Sequence, residues 1–478
     1  MAFSTILRGG RVVDPANGRF GTFDVGVDGD RVAEIAPELD PARAGRILEV
    51  GDCWVVPGVI DLHVHTSRRH GGYNAHRMMA RAGVCTALDM GGPWDEFIEF
   101  AGDEGAGLNV ASLQQVRPGL TVGDDDPGRG ELEALLEKSL EEGAVGLKLL
   151  GGHYPMTPDS TRRAIEVANA ARAYVAFHGG STETGSNIEG FVESVELARD
   201  LNLHIPHVNS YCRGQIKERA IDEITEALDL LAQNRNIISE SYLATINGTS
   251  GRCVDGVPES KATAQCLQLA GYPATEEGLE AAIRDGWARI NAPRGGENVN
   301  ITGEEAVRSW RARDTITSVN FPVNPAESRL LAATARNGDG SFVVDAIASD
   351  GGAHPRNVNV SSGMALVRTE ALTAEEFVLK TSLNPARMLG CPSKGHLGEG
   401  ADADITGIDP ETGAPVFSLV GGELVLWRGA LVGSGSTILT TERGVDALQA
   451  KGFSTRVVDV AGSMLYSGRP ADPFSRPA

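Results

Sequence analysis

Val55-Val56-Pro57-Gly58-Val59-Ile60-Asp61-Leu62-His63-Val64-His65 is an apolar run that ends in two histidines one residue apart. Side chains two apart on a strand share a face, so both imidazoles reach towards one point in space. Neutral imidazole is a good donor for a borderline divalent ion such as zinc, which makes the pair a candidate metal site. Two histidines at a strand end are also common as solvated neighbours, so the rest of the chain has to decide.

Seven more short apolar segments follow the first, Val59 to His63: Val84 to Met90, Leu108 to Leu113, Val145 to Leu149, Tyr174 to His178, Leu203 to His207, Asn236 to Glu240 and Ala346 to Asp350. Amphipathic helical patterns separate most of them, among them Arg129 to Glu142, Asn187 to Leu201 and Gln215 to Ala232. Eight strands alternating with helices predict an α/β chain built as a (β/α)8 barrel over residues 58–390. An insertion at 241–345 delays the eighth unit. It contains the loop Ala292-Pro293-Arg294-Gly295-Gly296 and reads as a lid or pocket wall, or else as a surface decoration or oligomer contact.

Residues 1–57 read as short strands punctuated by turn formers, and strands return in 391–440 after the helix ending near Leu389. Both chain ends are therefore expected to form one small β-sandwich domain interrupted by the barrel. Residues 441–478 are a C-terminal extension, its last dozen rich in Pro, Ser and Arg and readable as a flexible tail or an arm across a neighbouring subunit.

A chain of 478 residues with 59 glycines and 5 % aromatic residues suits a loop-rich α/β protein. Its formal net charge of −21 argues against nucleic acid and anionic membranes as partners. The N-terminus has no signal-peptide pattern, and the longest apolar runs are strand-sized. Six cysteines without a Cys-x-x-Cys pair fit reduced thiols in the cytoplasm.

The placement of polar residues on this frame is informative. His63 and His65 end the first strand, Lys148 lies near the end of the fourth, His178 ends the fifth, His207 the sixth and Asp350 the eighth. In a parallel barrel all strand C-termini open on one face, so the six side chains converge. Each has an ordinary explanation alone: a satisfied core histidine, a helix-capping aspartate, a lysine within an apolar strand. Loops after the strands add candidate substrate contacts in Arg68, Arg69, His153, Tyr154, Tyr211, Arg213 and His354.

At these residues the chain resembles the amidohydrolase superfamily of metal-dependent hydrolases, from Val55 to His65 through to Asn384-Pro385-Ala386-Arg387 and Gly400-Ala401-Asp402-Ala403-Asp404. The interval from His178 to His207, and Ser349-Asp350-Gly351 followed by His354-Pro355-Arg356, are similar to the branch of N-acyl-D-amino-acid deacylases and isoaspartyl dipeptidase, with hydantoinases next. The resemblance implies two divalent metal ions, zinc by default. His63, His65 and Asp350 would hold one and His178 and His207 the other, with carbamylated Lys148 bridging them. It also implies hydrolysis of a C–N amide bond by metal-activated water, with Asp350 moving the proton to the leaving nitrogen, and a homo-oligomeric assembly. The small-molecule substrate would be an N-acyl-(D-)amino acid. Alternatives are a cyclic amide such as a hydantoin or dihydropyrimidine, a single-metal deaminase, or a non-catalytic scaffold.

Overall fold

The computed structural model describes residues 2–67 and 74–477. Strands from the two ends of the sequence build one nine-stranded sheet. Thr5–Asp14, Arg19–Asp28, Arg31–Ala36, Ile47–Glu49 and Trp54–Pro57 come from the start, and Ile405–Ile408, Pro415–Val420, Glu423–Trp427 and Ala430–Leu431 from the end. The two shares meet where Trp54–Pro57 pairs antiparallel with Ile405–Ile408. A sandwich of two sheets is expected from the sequence, whereas here one continuous ladder joins the ends. Irregularities at Leu7/Gly10, Gly26/Val27 and Ser418/Leu419 bend it over a core of Leu7, Val25, Val55, Ile405, Phe417 and Leu419.

Between these shares parallel strands and helices alternate, and with two strands from beyond the second share they form two six-stranded arrays. In neighbour order, one array is Gln114–Val116, Gly146–Leu150, Tyr174–His178, Leu203–Ile205, Ile237–Tyr242 and Ala346–Ala348. The other is Gly351–Gly352, Val59–His65, Val84–Asp89, Ala106–Ser112, Gly435–Thr440 and Ser454–Val457. The third and eighth expected strands are thus each split between arrays, at Leu113 and at Ser349-Asp350. Hydrogen bonds cross both breaks: Leu113 N donates to Asp89 O, Val145 N to Ser112 O, and Ser349 N to the Asp61 carboxylate.

The helices follow their apolar stripes. Arg129–Glu142 buries Leu132, Leu136 and Leu140 at four-residue spacing and stops at Gly143, whose φ of 117° suits glycine. The helix expected from Gln215 begins only at Ala220, because the Glu223 carboxylate accepts the N–H groups of Gly214, Ile216 and Lys217 and holds that stretch as a loop. No helix among the described residues is long and apolar enough to cross a membrane.

Residues 241–345 form a lobe with its own core of Leu267, Leu279, Ile283, Ile290, Trp310 and Phe321. Its four-stranded sheet runs Asn247–Ser250, Ser318–Phe321, Arg289–Arg294, Glu297–Ile301. The glycine-rich loop read from the sequence is a hairpin in this sheet, with Gly295 and Gly296 as the turn at φ 58° and 80°.

The C-terminal extension is packed against the same chain. Gly435–Thr440 adds in parallel to Ala106–Ser112, and Ser454–Val457 adds outside it. Val458, Val460, Met464 and Leu465 then cover Ile60, Val145, Tyr174 and Ile238. Arg469 pairs with buried Asp345 and donates to Ile237 O at 2.9 Å.

Candidate metal centre

The strand Val59–His65 delivers His63 and His65 to one cavity, and the donor atoms of His63, His65 and Asp350 all lie within 4.8 Å of one another. Asp350 sits in the eighth-strand break at φ 53°, and His207, just after Leu203–Ile205, is at φ 41°. Both occupy the left-handed region that most residues avoid, which turns their side chains out of strand alternation. His178 Nδ1 and His207 Nε2 approach to 3.2 Å, and the His63 and His207 rings stack at 5.1 Å between centroids. Lys148, Met90 and all five of these groups line a single cavity of about 300 Å³. Lys148 is 1 % exposed and its ammonium faces Met90 Sδ at 3.3 Å.

The far side of several rings is held by the protein. Glu240, at the end of the seventh strand, accepts from His63 Nδ1 at 2.8 Å and from His207 N at 2.7 Å. Ser210 Oγ engages His207 Nδ1 at 2.6 Å and Ser186 Oγ engages His178 Nε2 at 2.7 Å. Arg356 grips Asp350 Oδ2 at 2.8 Å, leaving Oδ1 towards His65 Nε2 at 2.7 Å. Gly152 is required where it stands, because a Cβ there would fall 2.1 Å from His178 Nε2.

Burial sets the protonation states. It lowers His63 to about 4 against the opposing pull of Asp350, and it holds His207 and His178 well below the ordinary imidazole value. It would raise Asp350, but Arg356 and the His63 and His65 rings outweigh it and keep the carboxyl well below its usual range. The Lys148 ammonium is pushed down to about 8 by burial. Neutral imidazoles, an ionised carboxylate and a lysine whose ammonium gives up its proton more readily than usual are a donor set that fits divalent transition-metal ions. The ring nitrogens that Glu240, Ser186 and Ser210 leave over face other candidate ligands, His178 Nδ1 with His207 Nε2 at 3.2 Å and His63 Nε2 with Asp350 Oδ1 at 3.5 Å, and histidines held from behind in this way suit metal binding.

The other expected contacts divide. His153 and Tyr154 line the cavity, with His153 Nδ1 2.9 Å from Ser260 Oγ and edge-on to His178. Arg213 also lines it and donates to Asn324 Oδ1. Tyr211 is instead buried behind the His178 and His207 rings, where its hydroxyl accepts from Gly179 N at 2.9 Å. His354 is likewise buried, edge-on to His65 and against Gly248, and is not on the cavity wall. Arg68 and Arg69 lie outside the described residues. Sequence reading passed over Glu240, although the strand-end rule that selected Lys148 applies equally to it. Arg117 was missed because the third strand resumes after Leu113 and so ends later than expected.

Residues 305–431 match the amidohydrolase family. The chain carries an amidohydrolase family domain. The dihydroorotase of Pelotomaculum thermopropionicum is 28 % identical to this chain over 442 residues, 86 % of this chain and 90 % of that protein. The N-acyl-D-glutamate deacylase of Alcaligenes xylosoxydans xylosoxydans is 26 % identical over 473 residues, 89 % and 93 % of the respective chains. In three dimensions the chain is similar to the N-acyl-D-glutamate deacylase of Bordetella bronchiseptica, solved with zinc and a phosphonate inhibitor. That match has a TM-score of 0.64 and 17 % identity, covering 92 % of this chain and 99 % of that one. The dihydroorotase and the deacylase that match in sequence are hydrolases, and this chain is a hydrolytic enzyme of that kind.

Proposed function

We propose that the two parallel arrays together form a (β/α)8 barrel, and that the protein cleaves the C–N bond of an N-acyl amino acid of the D series in a two-metal site. The observation that carries this reading is the convergence of His63, His65, Lys148, His178, His207 and Asp350 on one cavity, each from within the last three residues of a strand or the turn after it. His63, His65 and Asp350 would hold one ion and His178 and His207 the other. Lys148, once its ammonium has given up a proton, would add carbon dioxide at Nζ with loss of a second proton, and the carbamate would bridge the ions. The ions supply Lewis acidity and water activation near neutral pH.

The chain's own residues do the rest. Arg356 fixes Asp350 through Oδ2, so that Oδ1 takes the proton from the attacking water and returns it to the departing nitrogen. Glu240 keeps the His63 Nδ1 proton in place and with it the ring orientation. Six free cysteines support a reducing, cytoplasmic setting.

A second reading is hydrolysis of a cyclic amide, favoured by the similarity to a dihydroorotase across most of both chains. A panel of N-acetyl-D- and L-amino acids against hydantoin and dihydroorotate separates the two. Elemental analysis tests the site itself: two ions per chain, falling to one or none in Lys148→Ala, support the bridge, and one ion in both proteins removes it.

A further inference from the structure

His153, in the turn after the fourth strand, is tied to the inserted lobe by a chain of buried hydroxyls. Its Nδ1 lies 2.9 Å from Ser260 Oγ. Ser260 and Thr263 stand at the start of the lobe helix Lys261–Gln268, just after the hairpin Cys253–Val254/Val257–Pro258, and Thr249 comes from the strand Asn247–Ser250. Ser260 Oγ is 3.0 Å from Thr249 Oγ1, and Thr249 Oγ1 is 3.1 Å from Thr263 Oγ1. Thr263 Oγ1 ends the chain by donating to Ser250 O at 2.6 Å. All three residues are at most 2 % exposed.

A hydroxyl has one proton to give, and this fixes the direction of the chain. Thr263 gives its proton to a carbonyl, so Thr249 must donate to Thr263. Ser260 must then donate to Thr249, which leaves His153 Nδ1–H as the donor to Ser260. In keeping with that commitment, Ser260 occupies the N-cap of its helix without capping it through its side chain. An imidazole protonated at Nδ1 has a lone pair at Nε2. Nε2 of His153 meets no protein donor among the described residues and is left to the cavity that the ring lines. Burial, with the charges of His65, Lys148 and Arg117, lowers the ring to about 4 against the pull of Asp350, so the lone pair is available at neutral pH.

Resting on the amide-hydrolase reading above, we infer that His153 Nε2 is a fixed acceptor for the N–H of the scissile amide, and that Ser260, Thr249 and Thr263 are positioning residues that hold it in that role. The placement suits the chemistry. His153, His178, His207 and His63 follow one another at 4.9, 4.4 and 5.1 Å between ring centroids, and His63 Nε2 is 3.5 Å from Asp350 Oδ1. His153 and Asp350 thus stand at the two ends of one arc. As the C–N bond breaks, the departing nitrogen must turn its lone pair to the proton that Asp350 carries. An N–H held by His153 at one end of the arc leaves that lone pair for the other end. His153 itself neither gains nor loses a proton: the nitrogen keeps its own hydrogen and takes the second from Asp350. An ester or an N-methylated amide offers no such hydrogen, and an ester oxygen would set its lone pairs against that of Nε2.

The test uses the zinc-loaded, full-length protein with His153→Phe, Thr263→Val and Thr263→Ser, each checked for a wild-type unfolding transition. The first measurement needs no turnover. NMR of protein isotope-labelled at the histidine ring nitrogens separates protonated from bare nitrogens, and the signals missing in His153→Phe are those of His153. The wild type should show Nδ1 protonated and Nε2 bare. Thr263→Val removes the group that directs the chain and should move part of the population to Nε2–H, whereas Thr263→Ser keeps the hydroxyl and should match the wild type. A protonated Nε2 in the wild type, or no change in Thr263→Val, overturns the inference. The second measurement is the ratio of kcat/KM for N-acetyl-D-alanine over O-acetyl-D-lactate. Loss of one hydrogen bond in His153→Phe should lower it about tenfold with the zinc content unchanged, and Thr263→Val should lower it less. An unchanged ratio overturns the inference, and so does a lost zinc ion, which would make His153 a ligand. If no amide is hydrolysed while the ring nitrogens follow the expected order, the functional reading fails and His153 stands as a fixed acceptor for another donor.

Discussion

On one wall of the cavity His63, His207 and Asp350 are held at 2.6–2.8 Å by Glu240, Ser210 and Arg356, and all three are at most 5 % exposed. On the other, Arg117, Arg252 and Glu259 face one another at 3.6 Å, with Arg252 and Glu259 partly in solvent. The first wall is made by strand ends and the second largely by the inserted lobe. The difference is one of freedom: the first wall holds each group at full hydrogen-bonding distance from a fixed partner, whereas the second leaves its charges room to exchange partners. Strands supply the fixed positions and a hairpin from an insertion the adjustable ones.

That division can be broken by experiment. Asp350→Asn should lower kcat by about a thousandfold through loss of proton transfer, measured at saturating substrate, and a comparable loss in Glu259→Gln would erase the distinction. The tightly packed wall should also carry the acid sensitivity. Burial lowers His63 and His153 to about 4 in the folded chain, below the unfolded value of about 6.5, so the unfolded state takes up protons first as pH falls. In metal-stripped protein their contribution is complete above pH ~6.5 and is lost progressively down to pH ~4, by about 3 kcal/mol for each. Denaturant titrations across this range should show the slope, and His153→Asn should flatten it. Glu240→Gln should weaken metal binding about 10- to 100-fold in a chelator competition, since it frees His63 Nδ1 and His207 N together. The smallest effect is expected from Ile316→Ser on the lobe side, where 52 % of the residue is already exposed. Stability should change by less than about 0.5 kcal/mol in thermal unfolding, with any kinetic change confined to KM.

The parallel strands were legible because burial on both faces leaves runs such as Val59–Leu62 and Tyr174–Phe177, and because histidine, lysine and aspartate are conspicuous at the ends of such runs. What escaped depended on contacts distant in sequence. Nothing local shows that the strand ending at Ser112 resumes at Gln114, since the resumption is fixed by pairing with Gly146–Leu150. That pairing moved Arg117 to the cavity. Arg252 and Glu259 carry no local signal in the sequence, and only the Asp255-Gly256 turn brings them face to face. Tyr211 and His354 sit in the expected loops, yet an αL residue at His207 and the tight turn after Asp350 lead their side chains behind the first layer. The small domain was legible as strands, but whether they made one sheet or two rested on the single pairing of Trp54–Pro57 with Ile405–Ile408.

The outer edge of Ala106–Ser112 is covered by Gly435–Thr440 and the lower ends of the strands by Val458–Leu465 and Arg469. A ribosome makes these pieces well after the strands they cover. Throughout translation of the intervening chain, the parallel edge and the apolar ends it leaves bare have no partner, and such surfaces seek other chains. The nascent protein therefore depends on being shielded until residues 435–469 have emerged. Stop codons or fusions that disturb residues 435–469 should show first as insoluble product during expression, well before any defect in the chemistry of the cavity.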